Sequence, residues 1–191
     1  MIIDDIFFNE FPVLTTKRLV LRKILPEDAQ KIFEMRSSGR VNQFIARENM
    51  PTIEDAEALI KSTTNAYENK QGIGWAGLLR NNKAIIGTCG YNQIDYANNR
   101  AEIGGEMSPD YWGKNIAKEA FELVVMFGLE NMLLHTIEAK VSPINRAAIS
   151  LLESIGFKKE AHFCERIFFK GKYFDMAVYT LIKGNEHYHL I

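Results

Sequence analysis

Apolar side chains at Ile116, Ala120, Leu123, Val124 and Phe127 recur at helical spacing, while Lys118, Glu119 and Glu122 fall off that stripe. The stretch before it, 101–107 (AEIGGEM), is short and apolar enough for a buried strand, and its Gly104-Gly105 pair predicts a weak or bulged ladder. Ser108-Pro109-Asp110 turns the chain between the two. Upstream, 19–25 (LVLRKIL) alternates as a strand, and Pro26 with Glu27 and Asp28 opens a helix running to about Met35, ended by Ser37-Ser38-Gly39. Thr52 followed by Asp55 has the spacing of a capping box, and Ala56, Leu59, Ile60, Thr63 and Tyr67 continue on one face until about Lys70. Strands over 75–80 and 83–91 form a hairpin about Asn81-Asn82, and Asn98-Asn99 makes the next turn. Residues 135–141 alternate again. Asn145 caps a short helix carrying Ala148, Ile149, Leu152 and Ile155, which Gly156 stops, and 157–183 gives two aromatic-rich strands joined at Lys170-Gly171.

The order strand, two helices, three strands, helix, strand, helix, two strands describes one α+β (mixed α/β) domain over 1–191. Residues 1–14 are expected as a loosely ordered segment and 184–191 as a tail. Composition narrows the classes. A net charge of −1 carries no electrostatic footprint for nucleic acid. No apolar run approaches the 18 or so residues of a membrane span, and the acidic start MIIDDIFF does not read as a secretion signal, so a cytoplasmic protein is expected. Cys89 and Cys164 are far apart and read as two reduced core thiols, and no metal site is expected. His187 and His189 read as part of the tail, and Gly113-Lys114 lacks the spacing of a nucleotide-binding Walker loop.

The chemistry concentrates in Trp112-Gly113-Lys114-Asn115-Ile116-Ala117. This turn delivers unpaired backbone N–H groups at the positive end of a helix dipole, which is an anion site suited to a phosphate-bearing ligand. Lys114 and Lys118 flank it. With TKRLVLRKILPEDA at the front, AEIGGEMSPDYWGKNIAKEA in the middle and VSPINRAAISLLESIGFKKE…FFKGKYFDMAVYTL at the end, the chain resembles the GNAT superfamily of acetyl-CoA-dependent N-acetyltransferases, nearest its RimJ/RimL-like branch. The resemblance implies a central, mostly antiparallel sheet of roughly six to seven strands with a splayed parallel pair, flanked by about four helices. It implies acetyl-CoA as co-substrate, with its pyrophosphate on residues 112–117. Met107 and Ser108 would contact pantetheine through the backbone, and Asn145 would bond along the CoA arm. Trp112 stands where the family motif has Gln or Arg, and Asn115 where it has a glycine. Asn is the best non-glycine substitute, because it tolerates left-handed backbone and caps helices.

Acetyl transfer to an amine needs a neutral amine, a polarised thioester carbonyl and a proton for the departing thiolate. The resemblance makes Glu102 a candidate general base, on a strand where burial would raise its pKa, and Glu160 a second carboxylate near the acceptor. The structural alternatives are an ion pair of Glu102 with Arg100 or Arg166, and an exposed acid at Glu160. The family's usual thiolate acids are absent, since Leu152 and Ala148 occupy the Tyr and Ser positions. Tyr111, Tyr173 or water remain open for that role. The implied acceptor is a protein or peptide N-terminal amine. Acetylation of a small amine (a polyamine or aminoglycoside) and a non-catalytic CoA-binding module are the alternatives, with the chain a monomer or homodimer.

Overall fold

The computed structural model describes residues 6–81 and 85–184. Eight strands form a single sheet: β1 (Leu14–Thr15), β2 (Leu19–Lys23), β3 (Ile73–Leu79), β4 (Ile85–Asp95), β5 (Arg100–Met107), β6 (Thr136–Val141), β7 (Lys158–Phe169) and β8 (Lys172–Ile182), in the order β1-β2-β3-β4-β5-β6-β8-β7. The helices are α1 (Ala29–Arg36), α2 (Gly39–Asn42), α3 (Ile53–Glu68), α4 (Ile116–Glu130) and α5 (Arg146–Ser154). Two elements exceed the expected order. The two-residue β1 adds an edge to the sheet, and the one-turn α2 is too short to show periodicity. The expected Asn81-Asn82 turn falls partly, and the two terminal histidines wholly, outside the described residues.

Local chemistry accounts for most boundaries. Thr52 and Asp55 form the reciprocal capping box at the start of α3. Asn145 accepts a hydrogen bond from the Ala148 N–H at 3.1 Å and caps α5, which ends at Gly156 with φ of 95°. Lys170 and Gly171 both take positive φ in the β7–β8 turn. The Gly104-Gly105 ladder is regular, contrary to expectation, and the irregularity of the β4–β5 pairing lies between Asn92 and Asp95. Gly105 is required for another reason: a Cβ there would sit 2.7 Å from the Thr88 carbonyl oxygen.

The core has two parts, one on each face of the sheet. Ala76, Leu78 and Ile85 pack with Ile32 of α1 and Ala56 and Ile60 of α3. The larger cluster joins Trp75, Tyr91, Ile103, Ile137 and Leu181 to Val124 and Phe127 of α4 and Leu152 of α5. Its polar tips are satisfied: Tyr91 Oη donates to the Val124 carbonyl at 2.9 Å, and Trp75 Nε1 to that of Pro12 at 2.8 Å. Residues 6–14 correct the expectation of a loosely ordered start. Phe7 is buried against Phe127, and Tyr67 donates its hydroxyl to the Phe7 carbonyl at 2.9 Å. Of the two cysteines, Cys89 is a core thiol but Cys164 is exposed.

Candidate active site

Among the described residues, every strand pairing is antiparallel except β5 with β6. That parallel pair holds together only at Arg100–Thr136, Ala101–Ile137 and Glu102–Glu138. Beyond Glu102, β5 continues with β4 as far as Met107, and β6 continues with β8 as far as Val141, so a gap opens between them. Ser108 N–H donates to the Ile86 carbonyl at 2.8 Å, which places the even-numbered backbone groups at this end of β5 on the β4 side. By strand alternation, the N–H and C=O of Gly105 and Met107 aim into the gap. This corrects the expectation of a backbone contact from Ser108, whose N–H is taken up by Ile86 on the other side of the strand. The Met107 carbonyl is taken there by Trp112 Nε1 at 2.9 Å.

The turn after β5 lies at the head of α4. Gly113 has φ of 73° and Asn115 φ of 55°, so two left-handed residues bracket Lys114. The Asn115 side chain makes no capping hydrogen bond, and its place rests on its tolerance of left-handed backbone rather than on capping. A Cβ on Gly113 would meet nothing within 4 Å, so open space lies above the turn. Ile116, Ala117 and Lys118 form the first turn of α4, whose N–H groups have no carbonyl one turn earlier in the helix. These features fit a pyrophosphate lying against the turn with an extended thiol arm running along the gap. Lys114 is held locally, donating to the Asp110 carbonyl at 2.8 Å beside the Tyr111 ring, and Lys118 faces Glu122 at 3.6 Å.

Glu102 sits at the mouth of the gap, on its last paired residue. Its partner is neither Arg100 nor Arg166 but Lys140, whose Nζ lies 2.6 Å from its carboxylate. Arg100 instead reaches Glu138 at 3.0 Å and Asp95 at 3.2 Å. The desolvated, isolated carboxylate expected at 102 is therefore an ion pair. Glu160 is exposed at the bulge between Lys159 and Ala161 on β7. Three strand spacings separate β7 from β5, about 14 Å at about 4.8 Å each, so Glu102 and Glu160 do not form a working pair. Leu152 is buried and Ala148 packs against the core, so neither position offers a proton. Tyr111 is half-buried near the turn, and Tyr173 is exposed beside Phe168 on the hairpin.

Three groups went unread in the sequence. Glu106 is a buried carboxylate bound by Arg36 of α1 and by Arg47. Arg47 also donates to Asn42 Oδ1 at 2.8 Å, so α1, α2 and the following loop are tied to β5. Arg18, in the β1–β2 connection, donates to the carbonyls of Lys114 and Asn115 at 3.1 and 3.2 Å and pairs with Glu119. Burial pushes the Glu119 carboxyl up, but hydrogen bonds from Thr16 and Arg18 outweigh it and hold the group below its ordinary value. Third, His162, Cys164 and Asp175 gather where β7 bulges, with His162 Nε2 2.8 Å from Asp175. The Lys159 ammonium lies 3.4 Å from the other ring nitrogen, so a cation already stands at that cluster. None of these three was recoverable from spacing, because each joins residues from separate elements.

A sheet that opens beside a left-handed turn at a helix N-terminus defines a protein that binds an extended, phosphate-ended acyl carrier. Residues 18–158 match the family model described as "Acetyltransferase (GNAT) domain". The chain is 36% identical over 176 residues to the uncharacterized N-acetyltransferase YoaA of Bacillus subtilis, covering 92% of this chain and 99% of that one. It is 30% identical over 94 residues to the spermidine N(1)-acetyltransferase of Vibrio cholerae, covering 49% of this chain and 54% of that one. The crystal structure of the ribosomal-protein-S5-alanine acetyltransferase of Vibrio fischeri superposes with a TM-score of 0.79 at 20% identity, covering 91% of this chain and 98% of that one. The chain belongs to the GNAT acetyltransferases and is an acetyl-CoA-dependent N-acetyltransferase.

Proposed function

We propose that this enzyme acetylates the primary amine at a protein or peptide N-terminus, by direct attack of the amine in a ternary complex. Bound acetyl-CoA supplies an activated thioester. The backbone N–H groups of Gly113 to Lys118 hold its pyrophosphate, those of Gly105 and Met107 face its arm along the gap, and Asn145 bonds it from the far side. Trp112 fixes the end of β5 through the Met107 carbonyl. The Met107 N–H holds the arm near the turn, because five strand residues, about 17 Å, separate it from Glu102. The thioester carbonyl is polarised by the N–H that faces the gap first beyond the Glu102–Glu138 pair, that of Gly105. Glu102, at the mouth of the gap, accepts the ammonium proton, and Lys140 orients its carboxylate. As the C–N bond forms, the C–S bond breaks to release the CoA thiolate, which takes up a proton from water. Glu160, three strands away on β7, takes no part in the proton transfer.

The observation that favours a peptide amine over a polyamine is charge pairing. A polyamine site presents unmatched carboxylates to a flexible polycation. Here the three glutamates that share a face of β5 and β6 are each matched: Glu102 with Lys140, Glu106 with Arg36 and Arg47, and Glu138 with Arg100. The RimJ/RimL-like resemblance supports the same reading.

The test is free-thiol release from acetyl-CoA against a panel of N-terminal peptides, spermidine and an aminoglycoside. Turnover confined to peptides is the expected result, and selective turnover of spermidine would replace this reading with small-amine acetylation. In the same assay Glu102→Gln is expected to lower kcat by about 100-fold while leaving CoA affinity, measured by calorimetry, unchanged. Full activity in that variant would remove Glu102 from the mechanism.

A further inference from the structure

Arg18 is separated by nearly a hundred residues from the turn it touches, and its contacts are all on one side of that turn. Its two terminal nitrogens donate to consecutive carbonyls, Lys114 O at 3.1 Å and Asn115 O at 3.2 Å. Its Nε pairs with Glu119, one helical turn further on, and its own backbone N–H donates to the same carboxylate at 3.2 Å. Thr16 completes the lock: its hydroxyl donates to Glu119 and accepts the Leu19 N–H at 2.9 Å.

The direction of these bonds has a consequence for the other side of the turn. Every described peptide bond is trans. In a trans peptide unit the N–H points opposite to the C=O of the same unit. Drawing the carbonyls of Lys114 and Asn115 toward Arg18 therefore aims the N–H groups of Asn115 and Ile116 away from it, into the space above the turn. The backbone of Asn115, with φ of 55° and ψ of 19°, is helical in its left-handed form, and helical dihedrals of either hand keep successive peptide units facing the same way. Left-handed backbone costs less at Asn than at most residues with a Cβ, and the two Arg18 bonds add to what holds it there. Arg18 cannot itself be the anion's ligand from this position, because its guanidinium lies on the carbonyl side and is neutralised by Glu119.

We propose that Arg18 is a positioning residue for the donor: it sets the amide cradle for the CoA pyrophosphate from behind, without touching CoA. The proposal rests on the assignment of this turn to the pyrophosphate. It makes a prediction that a general loss of stability does not, namely that the defect depends on the phosphates of the donor. We would measure kcat/KM with acetyl-CoA and with S-acetylpantetheine, which lacks the pyrophosphate, together with CoA affinity by calorimetry. The proteins are the wild type, Arg18→Ala, Arg18→Lys and Glu119→Gln, the last two guarding against failure of the alanine variant to fold.

Losing two hydrogen bonds from a charged donor at a partly exposed site is expected to raise the Kd for CoA and the KM for acetyl-CoA by about tenfold in Arg18→Ala. The effect is expected to be smaller in Arg18→Lys, which reaches one carbonyl at a time, and in Glu119→Gln. kcat at saturating donor, and kcat/KM for S-acetylpantetheine, are expected to stay at the wild-type value. Unchanged CoA affinity in Arg18→Ala and Arg18→Lys would overturn the proposal, and so would an equal loss with both donors. Either result with a wild type that binds CoA leaves the assignment of the turn standing. A wild type that does not bind CoA would overturn both.

Discussion

Cys89 shows what the interior does to a single ionisable group. It lies buried in β4, and burial pushes its thiol up to about 12. An unfolded cysteine ionises near pH 8.5 to 9. The neutral folded thiol thus contributes stability that is fully present below about pH 9 and is lost as pH rises toward 12, at most about 4 kcal/mol. Burial also raises the Tyr91 hydroxyl well above its usual value, adding loss in the same direction above about pH 10. Stability from urea unfolding is therefore expected to fall steeply between about pH 9 and 11, and Cys89→Ala to fall less steeply than the wild type after allowance for its lower starting value. Parallel curves would mean that Cys89 ionises at its ordinary pH in the folded protein.

At the scale of the element, the β5-turn-α4 unit is the proposed donor site, and Asn115, with Trp112, is one of its two departures from the family motif. Its side chain makes no cap bond, so replacing it loses no hydrogen bond within the turn. Asn115→Gly removes the Cβ from a left-handed position and lets the backbone approach an anion more closely. CoA is expected to bind a few-fold more tightly by calorimetry. Unchanged or weaker affinity would mean that the Asn115 amide is itself a ligand contact. The strand, the turn and the apolar stripe of α4 were all legible in the sequence, because each depends on residues within a few positions of one another. The regular Gly104-Gly105 ladder was not. The need for glycine at 105 comes from the Thr88 carbonyl on β4, and local pattern cannot distinguish a bulge from a close approach.

For the molecule as a whole, Glu106 is the tie between the helices α1 and α2 and the sheet. Its buried carboxylate joins β5 to Arg36 on α1 and to Arg47 beyond α2, and so fixes the helical wall against the open face of the sheet. Glu106→Gln keeps the shape but leaves two half-buried guanidinium groups without their counter-charge. It is expected to cost about 3 kcal/mol in urea unfolding, with CoA affinity nearly unchanged because the partners of Glu106 are on α1 and beyond α2 and not in the turn. A cost below about 0.5 kcal/mol, the usual size for an exposed pair, would show that solvent already screens the network.

Taken alone, the sequence determined the α+β class, nearly every element, the left-handed turn at the head of a helix and membership of an acetyltransferase family. The class and the elements follow from side-chain spacing, capping residues and turn chemistry, interactions whose partners are close along the chain, whereas the family was read from a resemblance of whole motifs. Tertiary structure decided the rest. It set the point at which β5 parts from β6, gave Lys140 rather than an arginine to Glu102, enclosed Glu106 between two guanidiniums, and placed Arg18 behind the amide cradle. Each of these joins charges from different elements, and a charged residue in a sequence carries no mark of which opposite charge the packed sheet will bring within 3 Å or so of it.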